Sequence, residues 1–439
     1  MKPSYLFVRI LAVLGLAASA HAQGFYWNSA SARSMALGGV YLPSKTGVID
    51  ALAANPAGLA VISQRTVDFN LTSIFASGTF SNSVNTNAPL KDAPGVLPYG
   101  GFAMPLGHSR FSFGVGLVPE LMSVSNWNYV DAPGVAGASY GSQKQKSAIL
   151  AARSVAAVGF ALNKKLSLGV SVGAVYNSNT LETPYVFQSH PALAGLKTSL
   201  DLHTTGTGVN TSVGLIATPS DRVQFNVAWK SRTTINSTGD ANGNIGVQLA
   251  ALGLGGARPD FHYNAGVQNI LPQSVIAGMN VRVDGHWVLA FQADWVNWKD
   301  AFASLPVTLT NGNNADINGL LSSNGIFDRV PLNWKDQYSF RGGVERFVTE
   351  NISLRGGYAH ANNPVPASTL SPLTAAIMSN QFSTGIGYGH NHWRMDLGYG
   401  IDPMAHESVG KTALLSGEYA NSKVGIRTQS LSLNTSFTF

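Results

Sequence analysis

From residue 65 onward, apolar and polar side chains alternate one for one, which is the period of a strand and not of a helix. Val67, Phe69 and Leu71 interleave with Asp68, Asn70 and Thr72, and Leu166, Leu168, Val170, Val172 and Ala174 interleave with Ser167, Gly169, Ser171 and Gly173. Val223, Phe225, Val227 and Trp229, then Trp287, Leu289 and Phe291, then Trp393, Met395, Leu397 and Tyr399 continue the theme. Fourteen such runs are predicted as strands, near 65–80, 98–106, 109–119, 146–162, 166–178, 204–217, 222–236, 273–284, 286–298, 336–347, 351–360, 380–389, 392–402 and 426–439. Their connections alternate in length. Residues 107–108, 163–165, 219–221, 284–286, 348–350 and 389–391 make tight turns, whereas 120–145, 179–203, 237–272, 299–335, 361–379 and 403–425 are long.

An even set of amphipathic strands joined alternately by short and long connections predicts an all-β fold: a transmembrane antiparallel β-barrel with periplasmic turns and longer outer loops. Lipid forbids unpaired backbone, and ring closure removes the edges. A soluble sandwich or propeller would need the apolar faces to meet one another and would carry long loops on both sides. The last strand sharpens the reading, because Leu431, Leu433, Phe437 and the final Phe439 alternate with Ser432, Asn434, Ser436 and Thr438. A terminal Phe resembles the signal by which bacterial barrel-assembly machinery recognises its substrates.

Composition fits a lipid-facing wall. Only 11% of the 439 residues are charged, against roughly 25% in ordinary soluble domains. No apolar window of about 20 residues follows residue 20, which excludes a helical membrane protein. The net charge of +6 is scattered, which argues against nucleic acid. The chain has no Cys, so disulfides, thiolate metal sites and cysteine nucleophiles are excluded. Lys2 and Arg9, the apolar stretch 10–18 and Ala20-His21-Ala22 read as a signal peptide over 1–22. The expected division is then a signal peptide, a segment 23–64 and a barrel 65–439 in the outer membrane, with lipid around it and the chain a monomer.

Residues 23–64 do not alternate. They contain Gly24 and Phe25, the run Ser31-Ala32-Arg33-Ser34-Met35-Ala36-Leu37-Gly38-Gly39, Asp50, and then Asn55-Pro56-Ala57-Gly58-Leu59. Pro56 forces Asn55 into an extended turn and suits the first position of a short helix. A segment with no lipid-facing stripe belongs in the periplasm or inside the lumen, and a fourteen-stranded lumen is wide enough to need a plug.

The spacing of Gly38-Gly39 to Asn55-Pro56-Ala57, just before the first strand, resembles the N-terminal hatch of the FadL-type outer-membrane transporters of long-chain fatty acids and other hydrophobic compounds. Leu271-Pro272, Asp294-Trp295-Val296-Asn297-Trp298, Trp334-Lys335-Asp336-Gln337-Tyr338 and Asn363-Pro364-Val365-Pro366 are similar to the family pattern at the equivalent places. The resemblance implies a barrel closed by a hatch that includes Gly24, Phe25, Gly38, Gly39, Asn55, Pro56 and Ala57. It also implies passive, cofactor-free uptake: outer loops capture an apolar ligand, which leaves sideways near a kinked third strand as the hatch moves.

Further candidates come from the residues. Gly114, Gly116 and Pro119 of the third strand suit either a lateral opening or a plain strand end. Ile245, Val247, Leu249, Leu252 and Leu254, with Val186, Phe187, Leu193 and Leu196 of the preceding long loop, are unusually apolar for outer loops and suit either ligand capture or a small loop core. Arg282, Asp294, Arg341, Glu345, Arg355, Arg394 and Asp396 fall at lumen parity, where they can pair across strands. An Arg fork also fits a substrate carboxylate, so Arg341 and Arg355, with Arg329 and Lys335 at a loop-to-strand entry, are candidates for that role. Gly169-Val170-Ser171-Val172-Gly173 spells a nucleophile motif but lies mid-strand, where the required turn is impossible. His390-Asn391-His392 sits in a tight turn without carboxylates and is a poor metal site. A general porin, a structural or adhesin barrel and an outer-membrane lipid hydrolase are the competing functions. The porin would lack the folded N-terminal segment, and no Ser-His pair supports the hydrolase.

Overall fold

A computed structural model describes residues 29–91, 95–107, 109–135 and 137–439. The signal peptide and the hatch candidates Gly24 and Phe25 lie outside the described residues. The wall is a closed antiparallel ring of fourteen strands. We number them β1 (Thr66–Ser81), β2 (Gly95–Pro105), β3 (Phe111–Val130), β4 (Ser142–Asn163), β5 (Leu166–Val186), β6 (Lys197–Ser220), β7 (Val223–Lys230 continued by Thr233–Asn244), β8 (Asp260–Leu271 continued by Ser274–Arg282), β9 (Trp287–Val296), β10 (Gln337–Phe347), β11 (Ile352–Ala361), β12 (Asn380–His390), β13 (Trp393–Val409) and β14 (Ser422–Thr438). Each pairs with the next, and β1 pairs with β14 from Thr66 opposite Thr438 to Ser81 opposite Lys423.

Alternation places the side chains as the sequence predicts. On β1, Val67, Phe69, Leu71 and Phe75 face outward and are exposed to the membrane, while Asp68, Asn70 and Thr72 are buried inside. On β14, Leu431, Leu433 and Phe437 face outward, opposite buried Ser430, Ser432 and Asn434. Lipid solvates the outer stripe, so no second apolar layer is needed to cover it.

The outer loops differ from expectation. Much of 120–145, 179–203, 237–272 and 403–425 is strand: β3 runs to Val130, β5 to Val186, β6 begins at Lys197, β7 reaches Asn244, β8 begins at Asp260 and β13 runs to Val409. The 299–335 connection adds a hairpin, Ser304–Thr310 with Ile326–Pro331, alongside β8. These extensions project past the bilayer. Without lipid on the outer face the strict alternation lapses, yet the hydrogen-bond ladder continues. β7 and β8 are interrupted at the same height, at 231–232 and 272–273, where Pro272 has no N–H to give the ladder.

Residues 29–64 fold inside the ring. Helix α1 (Ala32–Ala36) starts at a capping box made by Ser31 and Ser34, α2 (Val48–Ala53) follows, and a 3₁₀ turn (Pro56–Val61) starts at Asn55, which is extended and caps Ala57 N–H. Such short helices cannot stand alone. Packing against the wall supplies their stability: α2 buries Val48, Ile49 and Leu52 with Leu59 against Tyr99, Ala103, Val118 and Val155.

Candidate functional site

The N-terminal segment approaches the wall backbone to backbone, and wall glycines make the room. A Cβ at Gly357 would lie 2.1 Å from the Gly38 nitrogen, one at Gly343 2.7 Å from the Leu37 carbonyl oxygen, and one at Gly398 2.4 Å from the Ala32 oxygen. Across the lumen, a Cβ at Gly169 would lie 2.1 Å from the Ala57 nitrogen and one at Gly214 1.9 Å from Asn55 Oδ1. Gly38 and Gly39 themselves have φ of 72° and 78°, in the left-handed region that glycine adopts without strain. The signal missed in the sequence was glycine at lumen parity within strands. Gly169 and Gly173 of the apparent nucleophile motif are such seats, the second making room for Arg153, while Ser171 meets Ser212 on the neighbouring strand.

Hydrogen bonds fix the seated segment all round the ring. The Asn55 amide donates to the carbonyls of Leu215 and Val227 at 3.3 and 3.2 Å. Gly38 N–H donates to Ser383 Oγ, Tyr41 N–H to Gln292 Oε1 and Ala32 N–H to Asn70 Oδ1. Asp68 joins three parts of the chain: it accepts Ile49 N–H at 3.0 Å, the Asn434 amide at 2.7 Å and the Ser436 hydroxyl at 2.9 Å.

The lumen charges form two braces. In one, Arg33 of α1 pairs with Glu345 at 2.7 Å, Glu345 with Arg355 at 2.7 Å, Arg355 with Asp396 at 2.8 Å and Asp396 with Arg394 at 2.8 Å. In the other, Glu120 binds Arg153 at 3.2 Å and Lys230 at 2.5 Å, and Arg153 donates to the Leu52 and Ala53 carbonyls. Arg341 is held by Asp294 at 2.6 Å and donates to the Gly39 carbonyl at 2.8 Å. The Arg341 and Arg355 forks, candidates for a substrate carboxylate, are thus engaged with protein carboxylates and, for Arg341, with the N-terminal segment. Arg329 and Lys335 are exposed at the outer rim; Arg282, expected in the lumen, is instead exposed at the opposite end of the barrel, where β8 enters the tight turn to β9. A cavity of about 60 Å³ lies between the segment and β7 to β10, bordered by Tyr41, Asp50, Lys230, Gln292, Asp294 and Arg341.

Gly114 and Gly116 face the segment, where a Cβ would meet Leu59 and Leu52 respectively. At Pro119 the strand bulges: Pro119 opposes Ala152 and Leu121 opposes Ala151, with Glu120 the extra residue turned into the lumen toward Arg153 and Lys230. Among the described residues, β2 pairs with β3 only as far as Leu117.

In the outer loops Phe187, Leu193, Ile245 and Leu249 are buried in one apolar cluster with Tyr185, Leu200 and Phe261, and Leu196 packs on its edge. Val186 is half-buried beside Phe187. Helix α3 (Gly246–Ala251) thus turns Leu249 inward, and Val247, Leu252 and Leu254 remain exposed. Asp328 ties this cluster together by accepting the Tyr185 hydroxyl at 2.5 Å and the backbone N–H of Gln188 and Ser189. Burial pushes its carboxyl up, but these donors outweigh that and hold it below the usual carboxylate range. A second clamp is the fully buried Lys197 ammonium, 2.8 Å from Asp131 and 3.2 Å from Glu418, which joins three outer connections.

Between the outer loops and the N-terminal segment, the upper lumen holds a large buried apolar cluster. Trp298, Phe302 and Trp334 meet with ring centroids 4.8 to 5.1 Å apart, Trp298 edge-on to Phe302 and Trp334 tilted against both. They share one buried cluster with Phe80, Trp127, Ile235 and the β11 to β12 connection. The sequence motifs around Trp298 and Trp334 marked the place without revealing that the rings meet.

Among solved structures, the fold is similar to a Pseudomonas aeruginosa FadL homologue, with 16% identity over 95% of this chain and 100% of that one and a TM-score of 0.73. The Ralstonia pickettii toluene transporter TbuX gives 17%, 94%, 99% and 0.72, and the Pseudomonas putida toluene transporter TodX gives 19%, 95%, 100% and 0.74. No curated protein sequence matches the chain. The profile of the family described as outer membrane protein transport protein (OMPP1/FadL/TodX) matches residues 13–439. The chain therefore belongs to that family of outer-membrane transporters of hydrophobic compounds.

Proposed function

We propose that the protein takes up an uncharged hydrophobic compound, of the monoaromatic size carried by its toluene-transporting structural relatives, by passive diffusion with exit through the wall beside β3. The supporting observation is electrostatic. Among the described residues, the buried lumen cations Arg33, Arg153, Arg341 and Arg355 all face carboxylates of the protein, and the space above the N-terminal segment is apolar and aromatic. A fatty acid would bring its own carboxylate past these occupied partners and pay its desolvation. The exposed Arg329 and Lys335 favour the second reading, in which a long-chain fatty acid is first held by its headgroup at the outer rim.

The N-terminal segment acts as the hatch that keeps the lumen from leaking. Sideways exit agrees with the early end of β2 to β3 pairing and the Glu120 bulge, and with transfer energetics: an apolar solute prefers bilayer to water by about 0.8 kcal/mol per CH₂. Uptake of radiolabelled toluene and of oleate is compared in outer-membrane vesicles with and without the protein. Saturable toluene entry exceeding oleate entry is expected. Oleate entry without toluene entry would transfer the conclusion to the fatty-acid reading.

A further inference from the structure

We propose that residues 362–379, the connection between β11 and β12, form a second gate: a re-entrant apolar strap across the lumen above the hatch, whose docking on Trp127 and Ser125 of β3 decides which solutes pass. The inference rests on the transport reading and concerns where in the path selection occurs.

A long connection on the outer side of a barrel is expected to project into water and to be polar. This one turns inward. Leu370, Leu373, Ala376, Ile377 and Met378 are buried, and they pack against lumen-facing Phe80, Leu121, Ile235, Leu271 and Ile426, which come from strands right round the ring. The strap has only two short 3₁₀ turns, Ala367–Thr369 and Pro372–Thr374, so its backbone groups need partners from elsewhere.

Those partners are unevenly shared. The root is tied by the Thr369 hydroxyl to the Leu332 carbonyl at 2.5 Å, by Ala413 N–H to the Ser368 carbonyl at 2.7 Å and by Lys335 N–H to the Pro364 carbonyl at 2.9 Å. The tip crosses to the opposite wall and is held there by two side chains. The Trp127 indole N–H donates to the Pro372 carbonyl at 3.0 Å, and the Ser125 hydroxyl donates to the Leu373 carbonyl at 3.2 Å. Both donors lie on β3 beyond the Glu120 bulge, past the end of its pairing with β2 and next to the point where Leu90 bridges Trp127 and Lys91 N–H donates to the Asn126 carbonyl. A strap rooted by backbone bonds, with its tip held by apolar packing and only two side-chain hydrogen bonds, can act as a flap, and its tip lies beside the part of β3 just past the end of β2 pairing.

The chemistry of the seal defines what passes. An apolar solute can replace the tip's side-chain contacts one for one as it slips past, whereas water or an ion must shed hydration where the polar wall groups, such as Asn177 with Ser237 and Asn269 or Asp402 with Thr428, are already bonded to one another. The strap therefore screens on polarity and size before the hatch is reached. Leu373, at the tip, sets the gap against Trp127.

The chain contains no Cys, so thiols can be introduced without background. With Ser125→Cys and Leu373→Cys together, oxidation or a short thiol crosslinker fixes the tip to β3, with the yield read by mass spectrometry. The crosslinked protein is expected to lose at least about tenfold of its toluene uptake rate, restored on cleavage of the link. Uptake by fully crosslinked protein at the uncrosslinked rate would overturn the gate. If the uncrosslinked pair and the parent protein both fail to admit toluene, the transport reading fails, and the seal is then judged without any substrate. Ala151→Cys, on the lumen wall beneath the strap, is expected to react slowly with a charged methanethiosulfonate added from outside, and much faster when 366–377 are replaced by a Gly-Ser linker. Equal rates with and without the strap would show that it seals nothing.

Discussion

Asn55 carries three hydrogen bonds with one amide, and their removal has a calculable effect. Its Oδ1 caps Ala57 N–H at 3.0 Å, and its Nδ2 reaches the carbonyls of two different wall strands, Leu215 and Val227. The residue is fully buried, so water does not replace these bonds while the segment stays seated. At about 1 kcal/mol for a helix cap and a similar amount for each further bond, Asn55→Ala weakens seating by about 3 kcal/mol. That corresponds to about a hundredfold rise in the unseated fraction. Gly214→Ala tests the same contact from the wall side, because its Cβ would fall 1.9 Å from Asn55 Oδ1 and push the amide out. Hydrogen exchange of peptides spanning 48–61, read by mass spectrometry on detergent-purified protein, reports the unseating directly. Exchange there should accelerate by about two decades in both variants, while peptides of the outer-loop cluster around Tyr185 and Phe261 and the heat-modifiable gel mobility of the barrel stay unchanged. Unaltered exchange in both variants would refute the view that this amide anchors the hatch.

The remaining predictions concern other contacts. Gly357→Ala sets a Cβ 2.1 Å from backbone and should loosen α1 by about 1–3 kcal/mol, whereas Gly342→Ala, with nothing nearer than 3.9 Å, should leave protease access to the segment unchanged. Arg33→Met strips Glu345 of one of its two cationic partners in a buried site and should cost about 3–5 kcal/mol of seating, seen as protease access at 29–42. In the outer clamp, burial outweighs the attraction of Lys197 and, with Asp131 nearby, pushes the Glu418 carboxyl up to about 7. A raised carboxyl favours the protonated native form, so its contribution is full below the ordinary carboxyl range and is lost as pH rises toward and through 7, about 3 kcal/mol in all. Outer-loop protection factors, with the intrinsic pH dependence of amide exchange divided out, should therefore fall as pH rises from the ordinary carboxyl range to about 7, and Glu418→Gln should flatten that fall; an unchanged profile would exclude Glu418 as its source.

The wall was legible in the sequence because lipid on one side imposes alternation on every spanning strand, as at Val67 to Thr72. Past the bilayer that constraint ends, which is why the outer parts of β6, β7 and β8 read as loops. The N-terminal segment declared itself through Gly38-Gly39 and Asn55-Pro56. Its seats at Gly169, Gly214 and Gly357 did not, since a glycine at lumen parity looks the same whether it faces water or another backbone. The fate of Arg341 and Arg355 depended on which carboxylates lay within reach, and cross-strand register decides that. The inward turn of 362–379 left no periodic trace, because a strap with two 3₁₀ turns has no repeating face.

Asp68 and Asn70 sit on the first strand and bond to the last, through Asn434, Ser436 and Ser432, while also receiving Ile49 and Ala32 N–H from the segment inside. Ring closure and hatch seating are thus thermodynamically linked. Each raises the occupancy of the other, because each holds the shared side chains in the rotamers the other needs. A hatch that swings away withdraws two donors from the joint between the chain's first and last strands, and part of the free energy of opening is borne there, far from β3. Whatever tightens that joint also favours the seated position of the N-terminal segment.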